Sequence, residues 1–273
     1  MSNLTIRVLV AVVGIPLIIL ITLYGKLPFF AFILVISTLA TYEYYKLANR
    51  KNSSPIVPIG LLTIFTIDLI FYFGKVQHLI SLFILMILLT GLVELFRKPK
   101  PNEWSAISNL ATTPFPIFYI GLSLGTLIGL REAKYFDYFK GGVFIISIFA
   151  IIWICDTAAY FVGKSLGKRK LYERVSPNKT VEGFIGGLIF AFLSSFIAKY
   201  AMFNFLTIYD AVAIAIIVGV FGQLGDLVES LIKRDAGVKD SSNIIPGHGG
   251  VFDRFDSLIY VAPLVYLYFT TLK

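Results

Sequence analysis

Nine stretches of this chain are apolar over the roughly 20 residues that a helix needs to cross a bilayer, and this pattern constrains the fold more than any other feature. They fall near residues 8–24, 27–47, 56–73, 79–96, 107–130, 143–162, 183–204, 209–229 and 257–272. Hydrocarbon offers a backbone no hydrogen-bonding partners, so such runs must be helices. The expected fold is an all-α, polytopic integral membrane protein with about nine transmembrane helices. With 57% hydrophobic and 15% charged residues, a soluble globule is excluded. The first run is too long for a typical signal-peptide core, and no small-residue cleavage pattern follows, so it is expected to remain as an anchor. Pro16, Pro114, Pro116 and Pro263 lie in or at the ends of these runs, where neighbouring helices can satisfy the freed carbonyls.

Basic residues set the expected orientation. If the N-terminus is cytoplasmic, seventeen of the 24 Lys and Arg residues fall on inner segments, which favours N-in and C-out in a multi-pass cell-membrane protein. Both long polar segments, 163–182 and 230–256, are then cytoplasmic, where nucleotides are. The chain divides into an N-terminal part, 1–142, with about five spans serving as a lipid or dimer scaffold, and a catalytic part, 143–273, with about four. The net charge of +8 reads as loops beside anionic headgroups rather than as nucleic-acid binding. A single cysteine, Cys155, excludes an intrachain disulfide and a thiolate metal cluster.

Carboxylates in apolar runs are costly and mark partners or cavities. Glu43 and Glu94 stand near Lys46 and Arg97 and read first as members of local ion pairs. Asp68 sits deeper, and its role stays open between protonation and an interhelical hydrogen bond. Asp156 opens the small, polar stretch DTAAY and is a candidate site residue.

Segment 230–256 reads SLIKRDAGVKDSSNIIPGHGGVFDRFD. Lys233, Arg234, Lys239 and Arg254 supply positive charge, while Gly247, Gly249 and Gly250 expose backbone N–H groups as phosphate-cradling loops do. His248 reads as a phosphate donor, a general acid or base, or simply a hydrogen-bonding loop residue. Just upstream, Asp226 is followed by Glu229, Ser230, Lys233 and Arg234 on one helical face, and Gly222 and Gly225 thin that helix so that another backbone or a ligand can approach. Asp253 and Asp256, three residues apart, should point the same way, and Asp226 can join them. Such oxygen ligands select Mg²⁺ or Mn²⁺ over zinc. Helix capping is the alternative for either residue of the pair. In the segment SPNKTVEGFIGG at 176–187, Lys179 and Thr180 can bind phosphate near a helix start, although a cap at Thr180 with first-turn charge from Glu182 also accounts for it.

Taken in order, Ser230, Lys233-Arg234, Lys239-Asp240, His248-Gly249-Gly250 and Asp253-Arg254-Phe255-Asp256 resemble the signature of the phosphatidate cytidylyltransferases, also called CDP-diacylglycerol synthases. DTAAY and SPNKTVEG also look like family segments, whereas Ser242 stands where glycine is common and Asn178 where lysine is common. The resemblance implies a reaction of CTP with phosphatidate that gives CDP-diacylglycerol and pyrophosphate. It implies Mg²⁺, as one cation or a pair, on Asp226, Asp253 and Asp256. It also implies charge neutralisation or phosphate orientation by Lys233, Arg234, Lys239, His248 and Arg254. Substrate contacts would come from Asp156, Ser176, Lys179, Thr180, Glu182, Ser230, Asp240, Gly247, Gly249 and Gly250. A homodimer in the membrane is compatible with this reading. Two other readings are a CTP-dependent polyprenol kinase of the dolichol kinase type and an ion-coupled transporter with its carboxylates as a relay.

Overall fold

A computed structural model describes residues 3–98, 105–133, 137–245, 247 and 249–272. Its helices are α1 (Asn3–Tyr24), α2 (Lys26–Asn49), α3 (Val57–Tyr72), α4 (Leu79–Leu95), α5 (Ala106–Thr112), α6 (Ser123–Arg131), α7 (Tyr138–Leu166), α8 (Val181–Met202), α9 (Ile208–Ile216), α10 (Gln223–Asp235) and α11 (Phe252–Leu267). Strands β1 (Lys170–Tyr172) and β2 (Ser176–Thr180) pair antiparallel and form the only sheet among the described residues.

Seven helical stretches are long and apolar enough to cross a membrane: Lys26–Asn49, Val76–Leu95, Ala106–Arg131, Tyr138–Leu166, Val181–Met202, Ile208–Asp235 and Phe252–Leu272. Val10–Tyr24 and Val57–Tyr72 are apolar but shorter. The protein is therefore an all-α membrane protein, in which seven of the nine expected runs meet the length criterion. Large aliphatic side chains such as Leu20, Ile80, Leu88 and Ile197 point outward, as a hydrocarbon-facing surface requires.

One buried core runs from Phe29 on α2 to Phe269 at the end of the chain, and it draws on both the N-terminal and the C-terminal helices. Where Pro114 and Pro116 interrupt the fifth run, the helix breaks after Thr112 and resumes through a wide turn at Ile117–Leu122. The freed Thr113 carbonyl accepts a hydrogen bond from the Tyr45 hydroxyl at 2.8 Å, so the break stays satisfied inside the bundle. At one end of the bundle, Arg131 is buried and donates to the carbonyls of Thr22 and Leu23, both at 2.7 Å, neutralising the C-terminal end of α1.

Glycines bring α7 and α8 together. A methyl group on Gly183 would lie 2.7 Å from the Ala159 carbonyl oxygen, and one on Gly187 would lie 3.1 Å from that of Cys155. Backbone lies against backbone here, as in small-residue membrane contacts. Gly183→Ala is expected to force the helices apart and cost about 1–3 kcal/mol, measured as a lower thermal midpoint in detergent. An unchanged midpoint would refute close packing at this crossing.

Candidate active site

The site forms where α10 and α11 cross. A side chain at Gly225 would meet the Asp256 carbonyl oxygen at 2.8 Å, so only glycine lets the helices approach this closely. The neighbouring residues are thereby pressed together. Carboxylate oxygens of Asp226, Glu229 and Asp256 lie within 4.8 Å of one another. Glu229 is fully buried, and the ammonium of Lys233, one turn on, pairs with it at 2.8 Å. That single positive charge faces three crowded carboxyl groups, which repel one another when ionised. A divalent cation coordinated by their oxygens would offset the repulsion, so these residues could hold a metal ion.

The hairpin reaches the same place. Thr180 ends β2 and caps α8, its hydroxyl accepting from the Gly183 N–H at 3.1 Å. Glu182 accepts from the N–H groups of Lys168 (3.0 Å) and Arg169 (3.2 Å) and pairs with the Arg169 side chain, which clamps the base of the hairpin. Arg234 Nε of α10 donates to the Val175 carbonyl at 3.3 Å. So held, β2 presents Lys179 to Asp226 at 2.7 Å. Asp156 on α7 is close enough to interact electrostatically with Asp226, Lys179 and Arg254. The polar segments around 163–182 and 230–256, with the DTAAY stretch, thus converge on one site.

Asp253 occupies a different place from the one its spacing suggested. One of its oxygens contacts Lys233 Nζ at 2.6 Å; the other accepts from Gly250 N at 2.7 Å, Ser241 N at 2.9 Å and Ser241 Oγ at 2.8 Å. Its carboxylate holds the loop and shares Lys233 with Glu229, and Glu229 is the residue that stands within 4.8 Å of Asp226 and Asp256. The Gly250 N–H is given to Asp253. A methyl group there would also collide with Ser241 Oγ and Glu43 Oε2, which is why glycine is needed. Gly249, at φ +85°, needs the left-handed region only glycine enters freely, and its carbonyl accepts from Ile245 N at 2.9 Å. Gly247 is also left-handed, at φ +75°.

The remaining residues singled out from the sequence are distributed around this core. Ser230 is buried and donates to Asp226 at 3.3 Å. Ser176 opens β2 and is half-buried; Arg234, Lys239, Asp240 and Arg254 are exposed. His248 lies outside the described residues. Asp68 resolves as an interhelical partner, accepting from Ser37 Oγ at 3.1 Å. Glu94 makes the local pair expected of it, 3.2 Å from Arg97.

Glu43 does not make the pair expected of it. Its side chain is fully buried, and it accepts from Ser241 Oγ (2.8 Å), Ser242 Oγ (2.5 Å), Val251 N (3.0 Å) and Phe252 N (2.8 Å). Lys46 instead lies over the Tyr42 ring. Glu43 faces inward because its face of α2 packs on α11, a contact about 200 residues away in sequence that local spacing could not reveal. The hydroxyl of Ser242, absent where glycine stands, adds one of these bonds. Glu229 did carry a local signal, its i+3 offset from Asp226.

A bundle of apolar helices whose carboxylate cluster, paired with Lys179 and Lys233, could hold a metal ion defines an all-α membrane protein. The family model described as the cytidylyltransferase family matches residues 5–272. A phosphatidate cytidylyltransferase of Bacillus subtilis (strain 168) is 38% identical over 267 residues, covering 95% of each chain. The phosphatidate cytidylyltransferase of Staphylococcus haemolyticus (strain JCSC1435) is 49% identical over 122 residues, 45% of this chain and 47% of that one. That of Staphylococcus saprophyticus is 45% identical over 150 residues, 55% of each. The chain belongs to the cytidylyltransferase family.

Proposed function

We propose that this protein transfers CMP from CTP to phosphatidate, forming CDP-diacylglycerol and pyrophosphate for phospholipid synthesis. The observation that carries the reading is the Asp226, Glu229 and Asp256 cluster, rimmed by Lys179 and Lys233, in a chain matched along almost its whole length by a phosphatidate cytidylyltransferase. An ionised oxygen of the lipid phosphate attacks the α-phosphorus of CTP. The bond from that phosphorus to the bridging oxygen breaks, and pyrophosphate departs with the electron pair. The attacking oxygen is already deprotonated, so no general base is required. The protein's task is to align two anions and offset their charge.

Asp226, Glu229 and Asp256 would hold Mg²⁺, whose bound form supplies charge neutralisation at the triphosphate oxygens. Lys179 exchanges its contact with Asp226 for a substrate phosphate, and the exposed Arg234, Lys239 and Arg254 receive the rest of the anion. Lys233 stays between Glu229 and Asp253 and sets the geometry of both. The shorter helices α1 and α3 also cross the membrane in this reading. The nine crossings run from an inner N-terminus to an outer C-terminus, with the site on the cytoplasmic side of the cell membrane.

The test is incubation of the purified protein with labelled CTP, phosphatidate and Mg²⁺. Labelled CDP-diacylglycerol and pyrophosphate in equal amounts are expected. Formation of CDP with phosphorylation of a prenol, and no CDP-diacylglycerol, would replace this reading with that of a polyprenol kinase.

A further inference from the structure

The most connected carboxylate near the site comes from α2, far from the signature residues in sequence. Glu43 is fully buried, and among the described residues no lysine or arginine pairs with it. Its charge is met by four hydrogen-bonding groups, one of which, Ser241 Oγ, it shares with Asp253. Two, Ser241 Oγ and Ser242 Oγ, belong to the start of the loop before α11; two, Val251 N and Phe252 N, belong to the first turn of that helix. A single side chain therefore fastens both ends of the loop to α2 and fills the role of an N-cap that α11 otherwise lacks, since no side chain of its own caps it.

The fastening continues toward the cluster. Ser241 Oγ lies 2.8 Å from both Glu43 and Asp253, with one proton to give; Asp253 holds Lys233 at 2.6 Å; and Lys233 meets Glu229 at 2.8 Å. The loop so fixed carries Lys239 and Asp240 next to its first anchor and Arg254 just after its last. We infer that Glu43 is a positioning residue for nucleotide binding, holding residues 239–242 and 251–254 so that Lys239 and Arg254 are presented to the triphosphate. This inference rests on the function proposed above.

Glutamine cannot substitute here. Val251 N donates to one oxygen of Glu43 and Phe252 N to the other, so whichever way the amide turns, its NH₂ faces a backbone N–H. Glu43→Gln is expected to raise KM for CTP about tenfold, the scale of one lost charge-assisted hydrogen bond, while KM for phosphatidate stays near its parental value. Ser242→Ala, which removes one half-buried donor, should shift the CTP value in the same direction by a smaller factor. It decides the matter if Glu43→Gln does not fold. A parental CTP KM in the folded variants, or an equal rise for both substrates, overturns the inference. Hydrogen exchange in detergent without substrate gives an independent reading: faster exchange confined to 241–252 is expected in either variant, and unchanged exchange there overturns it. Because this measurement needs no turnover, it tests Glu43 even if CDP-diacylglycerol formation fails to appear.

Discussion

Asp256→Asn is expected to lower CDP-diacylglycerol formation by about 10³-fold, the scale seen when one electrostatic partner of a transition state is removed, while the folded protein keeps or gains stability. Asp256 is the cluster's sole contribution from α11. Its carboxylate accepts from the next residue of its own helix, Ser257 N at 2.6 Å, and from no loop residue among those described. The change takes one negative charge from three crowded carboxylates and thereby relieves repulsion in the metal-free protein. Activity and stability should therefore move in opposite directions. The measurements are product formation from labelled CTP and the thermal midpoint with divalent cations chelated. Turnover within tenfold of the parent would remove the cluster from the mechanism. A sharply lower midpoint would mean that Asp256 serves the fold.

For Lys233→Met the largest effect falls on stability. Lys233 is buried between Glu229 at 2.8 Å and Asp253 at 2.6 Å, and its loss leaves Glu229 without its cationic partner and Asp253 with only its loop donors. Removing one partner of a buried ion pair costs about 3–5 kcal/mol, so the variant should unfold at a markedly lower temperature in detergent. Adding Glu229→Gln removes one orphaned charge and should recover part of that loss. A single variant that melts like the parent, or a double variant no better than the single, would show that Lys233 does not neutralise these groups.

The helices were legible because lipid imposes one rule: an apolar run long enough to span must satisfy its own backbone. Their ends were less legible. The sixth and eighth runs were expected to stop near 162 and 229, yet α7 continues to Leu166 and α10 to Asp235, carrying polar residues beyond the apolar stretch. The small hairpin gave no alternating pattern to read, since β1 has three residues and its register with β2 is irregular. In the site, Gly225 and Asp226 announced a close approach between helices. Spacing alone could not say whether Asp253 or Glu229 would meet Asp226 there, because that depends on Lys233 and Ser241 claiming Asp253. Glu43 was the least accessible, since its partners are assembled only by tertiary packing.

The cluster's place along its helices has one more consequence. Asp226 lies nine residues before the end of α10, and Asp156 ten before the end of α7, so both are set back by about 14–15 Å along the helix axes at 1.5 Å per residue. The carboxylates therefore lie well inside their helices rather than at the tips. On the function proposed above, this placement would make the work unequal: the nucleotide would descend, while the lipid's phosphate would be met from the side with its acyl chains still in oil. The amphiphile is spared the cost of leaving its solvent, and the polar reactant, for which water-lined depth is cheap, does the travelling.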